Sequence, residues 1–152
     1  MAIRVDLQLA YHDEGTPSAA EIRTWAKAAL KQLRDNSELS VRIVDETESA
    51  ALNKRWRNTG GPTNVLSFPA GDIPGPVPGP LGDIVICAPV VAREAARQKK
   101  KLDAHWAHMV VHGCLHLLGY DHADQHDAEE MEGLEISILE NLGFDNPYIE
   151  HT

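Results

Sequence analysis

Apolar and polar residues alternate along short segments of this chain, and such alternation predicts β-strands with one buried face. In the first segment, apolar side chains at every second position begin at Ile3 and end at Leu9. Residues 83–87 (DIVIC) are instead apolar after the first position, which predicts a strand covered on both faces. The predicted strands cover residues 3–9, 39–43, 65–68 and 83–87, and Pro69 ends the third of them.

Helical spacing of apolar residues predicts five helices, and residues that favour helix N-termini mark where they begin. The first helix runs from about residue 18 to residue 34 and begins at the capping pair Ser18 and Glu21. The second follows the Asp45 cap and runs through Trp56, and the third runs from Pro89 through Ala96. The fourth follows the Asp103 cap and runs through Leu118, and the fifth follows the Asp124 cap and ends at Gly143. Residues 70–82 are rich in proline and glycine, which predicts a loop.

The order of these elements predicts the fold class and the number of domains. Strands and helices are mixed without strict βαβ alternation, so we predict an α+β fold with a small mixed sheet packed by helices. The length of 152 residues and the absence of an evident linker or repeat predict a single domain over residues 1–152. Of the chain, 43% is hydrophobic, and no apolar run approaches the roughly 18 residues that would span a bilayer.

Cysteine content and the N-terminus bear on the compartment. The chain has two cysteines, Cys87 and Cys114, which do not form a CxxC pair, and its N-terminus does not resemble a signal peptide. Both features are typical of a protein in a reducing cytoplasm, without a membrane partner. On a helix, Cys114 would point away from His112 and His116, which favours a role in the core over metal binding.

The formal net charge of −9 argues against binding of bare nucleic acid through a broad basic surface. Positive charge is concentrated in two clusters, Lys54, Arg55 and Arg57 and then Lys99, Lys100 and Lys101. The last third is acidic, with Asp121, Asp124, Asp127, Glu129, Glu130, Glu132 and Glu135. The simplest interpretation of these clusters is a solvated helix face.

The segment HGCLHLLGYDH at residues 112–122 carries the strongest chemical signal in the chain. His112 and His116 are four residues apart, so on a helix they lie about 40° apart on one face. Gly119 allows the chain to reverse after the helix, and His122 can then point back at the first two histidines. Three imidazoles with an open fourth position are typical of catalytic zinc sites, so we predict one zinc ion bound by these three histidines.

The same spacing occurs in the zinc-protease motif H-E-x-x-H-x-x-G-x-x-H. In that motif a glutamate follows the first histidine and acts as the general base, whereas this chain has Gly113 there. The motif therefore predicts a zincin-like metal-site helix in an enzyme that hydrolyses something other than a peptide. Imidazole also accepts other divalent transition metals such as nickel, copper or iron, so the spacing alone leaves the metal open.

Neighbouring residues leave alternatives for the metal site. His105 and His108 precede His112 on nearly the same helix face, and either could orient a ligand. His108 could also replace His122 as a ligand. Asp121 is a candidate general base, although orienting an imidazole or fixing the turn is a simpler role for it.

Beyond the histidines, the sequence resembles the YbeY family of bacterial endoribonucleases. The family signature H-G-x-L-H-L-x-G-Y-D-H is met by residues 112–122, and HWAHMVV at 105–111, PTNVLSFP at 62–69, LGDIVIC at 81–87 and GFDNPYI at 143–149 are also typical of the family. The resemblance implies a metal-dependent endonuclease specific for single-stranded RNA. It further implies a role in maturation of the 3′ end of 16S ribosomal RNA and in ribosome quality control, with the small ribosomal subunit or its proteins as partners.

The resemblance also implies a catalytic arginine, and the matching position is Arg57 in LNKRWRN. A guanidinium can bind the nonbridging oxygens of a phosphodiester in bidentate fashion as negative charge builds on them. Many relatives have lysines between this arginine and the PTNVLSFP segment, where this chain has Asn58, Thr59, Gly60 and Gly61. We therefore expect weaker intrinsic RNA binding and a greater dependence on docking to a ribosomal particle.

The sequence leaves the chemical step and two other functions open. The nucleophile is either a water at the metal or the ribose 2′-hydroxyl. One alternative function is a ribosome-associated assembly factor in which the metal mainly stabilises the fold. Another is a metallohydrolase of a different substrate class, such as a peptidase, against which Gly113 argues.

Overall fold

The computed structural model describes residues 3–31, 37–70, 80–121 and 123–149. Within these residues the strands form a four-stranded sheet in the order β1-β2-β4-β3, with β1 at Arg4–Leu9, β2 at Glu38–Val44, β3 at Val65–Pro69 and β4 at Pro80–Cys87. β1, β2 and β4 are parallel, whereas β3 pairs antiparallel with β4. The predicted small mixed sheet is therefore confirmed.

Five helices lie in the described ranges. They are α1 at Ala19–Lys31, α2 at Glu46–Arg57, α3 at Ala88–Arg97, α4 at Leu102–Leu117 and α5 at Gln125–Asn141. All five correspond to helices predicted from apolar spacing, and the α+β fold class is confirmed. The predicted C-terminal end of the first helix, near residue 34, lies outside the described residues.

The capping predictions succeed at three helices and fail at one. Ser18 and Glu21 each accept a hydrogen bond from the other's backbone nitrogen at 3.1 Å. Asp45 caps α2 and Asp124 caps α5 through backbone nitrogens three residues on. The prediction that Asp103 caps α4 is wrong, because the helix begins one residue earlier, at Leu102. Asp103 therefore lies in the first turn, where a carboxylate still interacts favourably with the helix dipole.

The predicted loop over residues 70–82 is wrong at its C-terminal end, because β4 already begins at Pro80. Gly82 pairs with Leu39 on one side and with Pro69 on the other. Its φ of +147° suits glycine, and a Cβ there would collide with the carbonyl oxygen of Phe68. Composition alone concealed this strand start, and residues 71–79 lie outside the described residues.

α4 is the central helix of the core and packs against the sheet, α1, α3 and α5. Trp106, Val110, Val111 and Leu115 are buried, as predicted for this helix. Cys114 is also fully buried, which raises the pKa of its thiol to about 12 and confirms its role in the core. Side chains on α4 that point away from this packing are thus held on a rigid platform.

β4 is covered on both faces, as its continuous apolar run predicts. Its residues Ile84, Val85, Ile86 and Cys87 are all buried. As for membranes, none of the helices in the described parts of the chain combines the length and the apolar character needed to cross a bilayer.

Candidate active site

Two imidazole nitrogens converge on one face of α4. Nε2 of His112 and Nε2 of His116 lie 3.1 Å apart. Two nitrogens bound to one tetrahedral zinc ion would be separated by about 3.3 Å, given Zn–N distances of about 2.0–2.1 Å. The two histidines predicted from their spacing therefore have a separation that fits ligands of a single ion.

Glu135, on α5, lies behind His112 and is wholly buried. Its Oε2 atom is 2.9 Å from Nδ1 of His112 and 2.8 Å from Nε2 of His108. The hydroxyl of Tyr148 donates to Oε1 at 2.6 Å. Burial by itself would raise the pKa of Glu135, but the hydrogen bonds from His108, His112 and Tyr148 outweigh it and hold that pKa well below its ordinary value.

The ionised carboxylate determines how His112 is protonated. A carboxylate accepts hydrogen bonds and has none to donate, so we assign a proton to Nδ1 of His112. In the neutral imidazole this leaves a lone pair on Nε2, the atom that faces His116. A carboxylate behind a ligand histidine is a common arrangement at metal sites, where it fixes the ring and increases its basicity.

A second group of atoms also has the spacing of metal ligands: His108, His112 and one carboxylate oxygen of Glu135 lie within 4.8 Å of one another. His108 and Glu135 are buried, and the carboxylate is already occupied by three hydrogen bonds. We favour the Nε2 atoms of His112 and His116 because these two residues line an open cleft, where substrate and water have access.

The third predicted ligand, His122, lies outside the described residues. The turn that precedes it is present, since Gly119 has a φ of +102°, a conformation that favours glycine. Tyr120 and Asp121 follow this turn and line the same cleft as His112 and His116. The part played by Asp121, as a base or as an orienting group, stays a prediction.

The cleft beside the two histidines has a volume of about 500 Å³ and also includes Arg57. Nη2 of Arg57 donates to the carbonyl oxygen of Ser67 at 2.6 Å, and Nη1 donates to that of Trp56 at 3.2 Å. The guanidinium also lies over the ring of Phe68, 4.9 Å from its centroid. Arg57 thus shares a cleft with His112 and His116, while its catalytic role stays a prediction.

β3 connects this arginine to the helix that carries the histidines. The hydroxyl of Ser67, whose carbonyl oxygen binds Arg57, donates to the carbonyl oxygen of Gly113 at 3.2 Å. Gly113 faces β4, and a Cβ there would lie 2.9 Å from Cγ2 of Ile84. The glutamate of the protease motif has no room at this position, which gives a steric reason for its absence.

A family model described as Endoribonuclease YbeY matches residues 9–143. The chain belongs to the YbeY endoribonuclease family. The resemblance inferred from the sequence motifs is therefore confirmed, together with the enzyme class that the family name states.

Curated relatives agree with this assignment. Endoribonuclease YbeY of Pseudomonas syringae pv. tomato is 54% identical over 153 residues, which cover 97% of this chain and 89% of that protein. The protein of the same name from Pseudomonas savastanoi pv. phaseolicola is 54% identical over 154 residues, with the same coverage. The fold is similar to the solution structure of TM1509 from Thermotoga maritima, with a TM-score of 0.60 and 22% identity over 98% of this chain and 100% of that one.

Sequence reasoning missed Glu135 in this YbeY-family site. It was assigned to a solvated acidic cluster, and the structure buries it completely. A signal was available, because Glu135 follows Met131 by four residues and precedes Ile138 by three, which places it on the apolar face of α5. A lone carboxylate among core positions indicates a buried partner.

A second polar group at the cleft was also missed. Nδ2 of Asn64, which lines the cleft, donates to Oε1 of Glu94 at 3.1 Å, and Nε2 of His105 lies 2.9 Å from the same oxygen. Burial by itself raises the pKa of Glu94, but the hydrogen bonds from His105 and Asn64 outweigh it and lower that pKa. Of the two histidines considered as orienting groups, His108 contacts Glu135, whereas His105 supports the start of β3 through Glu94.

Proposed function

We propose that this endoribonuclease cleaves single-stranded RNA at one divalent metal ion, preferably zinc, held by His112, His116 and His122. Arg57 binds the scissile phosphate. The observation that carries the proposal is the shared cleft, whose lining includes Arg57 and the two histidines with converging Nε2 atoms, His112 and His116.

The donor set suits the metal and leaves space for substrate. Neutral imidazoles are ligands that zinc accepts readily, and Glu135 keeps the proton of His112 on the nitrogen away from the cleft. When bound, such an ion supplies Lewis-acid chemistry, by polarising a phosphate group and acidifying water. His112, His116 and His122 hold the ion, and Glu135 orients the first of them.

Arg57 is suited to bind a phosphate because it is already held in place. Its side chain is fixed by the carbonyl oxygens of Ser67 and Trp56 and by the ring of Phe68. A guanidinium has five N–H groups, so an arginine bound to two carbonyl oxygens can still donate to phosphate oxygens. A cation fixed before the reaction stabilises developing negative charge without reorganising during the step.

The substrate in the cell is ribosomal RNA, at the 3′ end of the 16S molecule, in a cytoplasmic role that includes ribosome quality control. The net charge of −9 and the uncharged segment Asn58–Gly61 after Arg57 disfavour tight binding of free RNA. The small ribosomal subunit or one of its proteins therefore supplies much of the docking surface.

The test of this function compares the parent protein with His116→Ala. After circular dichroism has shown that the variant is folded, metal content and cleavage of a labelled single-stranded RNA are measured for both proteins. The parent is expected to bind about one ion per chain and to cleave, and the variant is expected to lose both properties. Normal cleavage and normal ribosomal RNA processing by a folded, metal-depleted variant would contradict the proposal and favour an assembly factor with a structural metal.

The products of the parent reaction identify the nucleophile. A 5′-phosphate with a 3′-hydroxyl shows attack by water, whereas a cyclic phosphate shows attack by the ribose 2′-hydroxyl. An equivalent assay with peptide substrates is expected to show no hydrolysis, because Gly113 occupies the position of the protease base.

A further inference from the structure

We propose that the exposed indole of Trp56 is a stacking subsite for an unpaired base of the RNA, next to the nucleotide whose phosphate is cut. This inference rests on the proposed RNA cleavage and extends it to a residue outside the metal cleft. Trp56 is 55% exposed, whereas the other two tryptophans, Trp25 and Trp106, are 5% and 1% exposed. A large aromatic side chain left at the surface beside a cleft is a feature of binding sites.

The surroundings of Trp56 match what an unpaired base requires. The guanidinium of Arg55 lies 5.1 Å from the centroid of the indole ring, and Phe68 contacts the indole edge to face at 6.5 Å. Bases of single-stranded RNA stack on aromatic rings and on guanidinium planes, and neighbouring cations attract the phosphates that link them. Lys54, Arg55 and Arg57 all lie in the last turn of α2, the turn that carries Trp56.

A second cleft links Trp56 to the metal cleft. Its volume is about 680 Å³, and its lining includes Trp56 and Phe68. Arg57 and Pro69 line both clefts. An RNA strand whose phosphate is bound by Arg57 can therefore continue across Pro69 towards the indole. An adjacent base of that RNA then lies within reach of Trp56.

The charges that line the second cleft balance, with Arg42 and Arg57 against Glu48 and Asp83. Glu48, one of the two carboxylates in its lining, is paired with Arg42, whose Nη2 lies 3.0 Å from Oε1. The other is Asp83, which is exposed. The remaining cation of the lining, Arg57, lies at the end shared with the metal cleft.

A flexible single strand of RNA can present its bases to the surface around Trp56, whereas a duplex keeps its bases stacked inside. The subsite therefore favours single-stranded substrates.

The test compares the metal-loaded parent with Trp56→Ala, Trp56→Phe and the control Leu9→Ala, which removes an exposed apolar side chain on β1. Cleavage of a short single-stranded RNA is followed, together with a set of the same RNA carrying one abasic nucleotide at successive positions. Trp56→Ala is expected to raise KM about 10-fold with little change in kcat, Trp56→Phe to recover most of the loss, and Leu9→Ala to behave as the parent.

The abasic series identifies the stacked base. In the parent, removal of one base beside the cut is expected to raise KM about 10-fold, and in Trp56→Ala the same removal is expected to have little further effect. An unchanged KM in Trp56→Ala would overturn the stacking subsite. It would also be overturned if removal of the base raised the KM of Trp56→Ala by the same factor as that of the parent. If the parent itself fails to cut the RNA, the proposed function fails instead, and the two failures are thereby distinguished.

Discussion

Nδ1 of His112 lies 2.9 Å from a carboxylate oxygen of Glu135, a residue 23 positions later in the chain and on a different helix. The contact joins α4, which carries the histidines, to α5. Because the buried carboxylate can only accept, it holds the proton of His112 on Nδ1 and directs the lone pair of Nε2 into the cleft. The metal affinity of this site should therefore depend on a residue that does not line the cleft.

Replacing Glu135 by glutamine should weaken metal binding by about 10- to 100-fold, because an amide is a poorer acceptor and its NH₂ group repels the donors around it. Affinity is measured by competition with a chelator, on protein shown to be folded. Glu130→Gln is the matched control, since Glu130 is exposed on the same helix. Equal affinity in Glu135→Gln and Glu130→Gln would contradict the orienting role of Glu135.

Adding a methyl group at Gly113 should destabilise the protein by about 1–3 kcal/mol, because its Cβ would lie 2.9 Å from a side-chain carbon of Ile84 in the core. Gly133 provides a control for which the expected change in stability is opposite, since a Cβ at that α5 position meets no described atom within 4 Å. Gly133→Ala should stabilise by about 0.5–1 kcal/mol through the higher helix propensity of alanine. Urea unfolding of both variants measures these free energies, and a neutral Gly113→Ala would refute the steric explanation for the missing glutamate.

The Glu94 carboxylate should make the free energy of unfolding depend on pH. Its folded-state pKa is lowered, so the stabilisation that it provides is complete above the ordinary glutamate value of about 4.3 and is lost as the pH falls towards the folded-state value. The groups that face it are His105 and Asn64, with the charges of Arg97 and Lys100 nearby.

The experiment subtracts the unfolding free energy of Glu94→Gln from that of the parent at each pH. The difference should shrink as the pH falls below about 4.3. Glu14→Gln, at an exposed position, should show little difference at any pH. A difference for Glu94→Gln that fails to shrink below about pH 4.3 would contradict the lowered pKa.

The sequence predicted those parts of the site that depend on local geometry. A spacing of four residues places His112 and His116 on one helix face whatever the remainder of the chain does, and Gly119 turns the chain as expected. The position of Arg57 beside the histidines does not follow from local spacing, because the approach of α2 to α4 depends on how β3 pairs with β4. Arg57 was therefore assigned through family resemblance.

The contacts that sequence reasoning missed are tertiary. Glu135 meets His112 only because α5 packs on α4, and Glu94 meets Asn64 across a separation of 30 residues. Charge counts alone suggested a solvated acidic face, whereas the position of Glu135 on the apolar stripe of α5 indicated burial. The start of β4 at Pro80 was missed because pairing with β2 and β3 overrides the turn preference of proline and glycine.

The most direct test of the shared cleft measures metal content and single-stranded RNA cleavage together for the parent, His112→Ala and Arg57→Ala. His112→Ala should lose both the metal and the cleavage. Arg57→Ala should keep the metal, with a rate about 10²- to 10³-fold lower, as expected when one charge-stabilising group is removed. Undiminished cutting by Arg57→Ala, or full cleavage by metal-free His112→Ala, would contradict the proposed site.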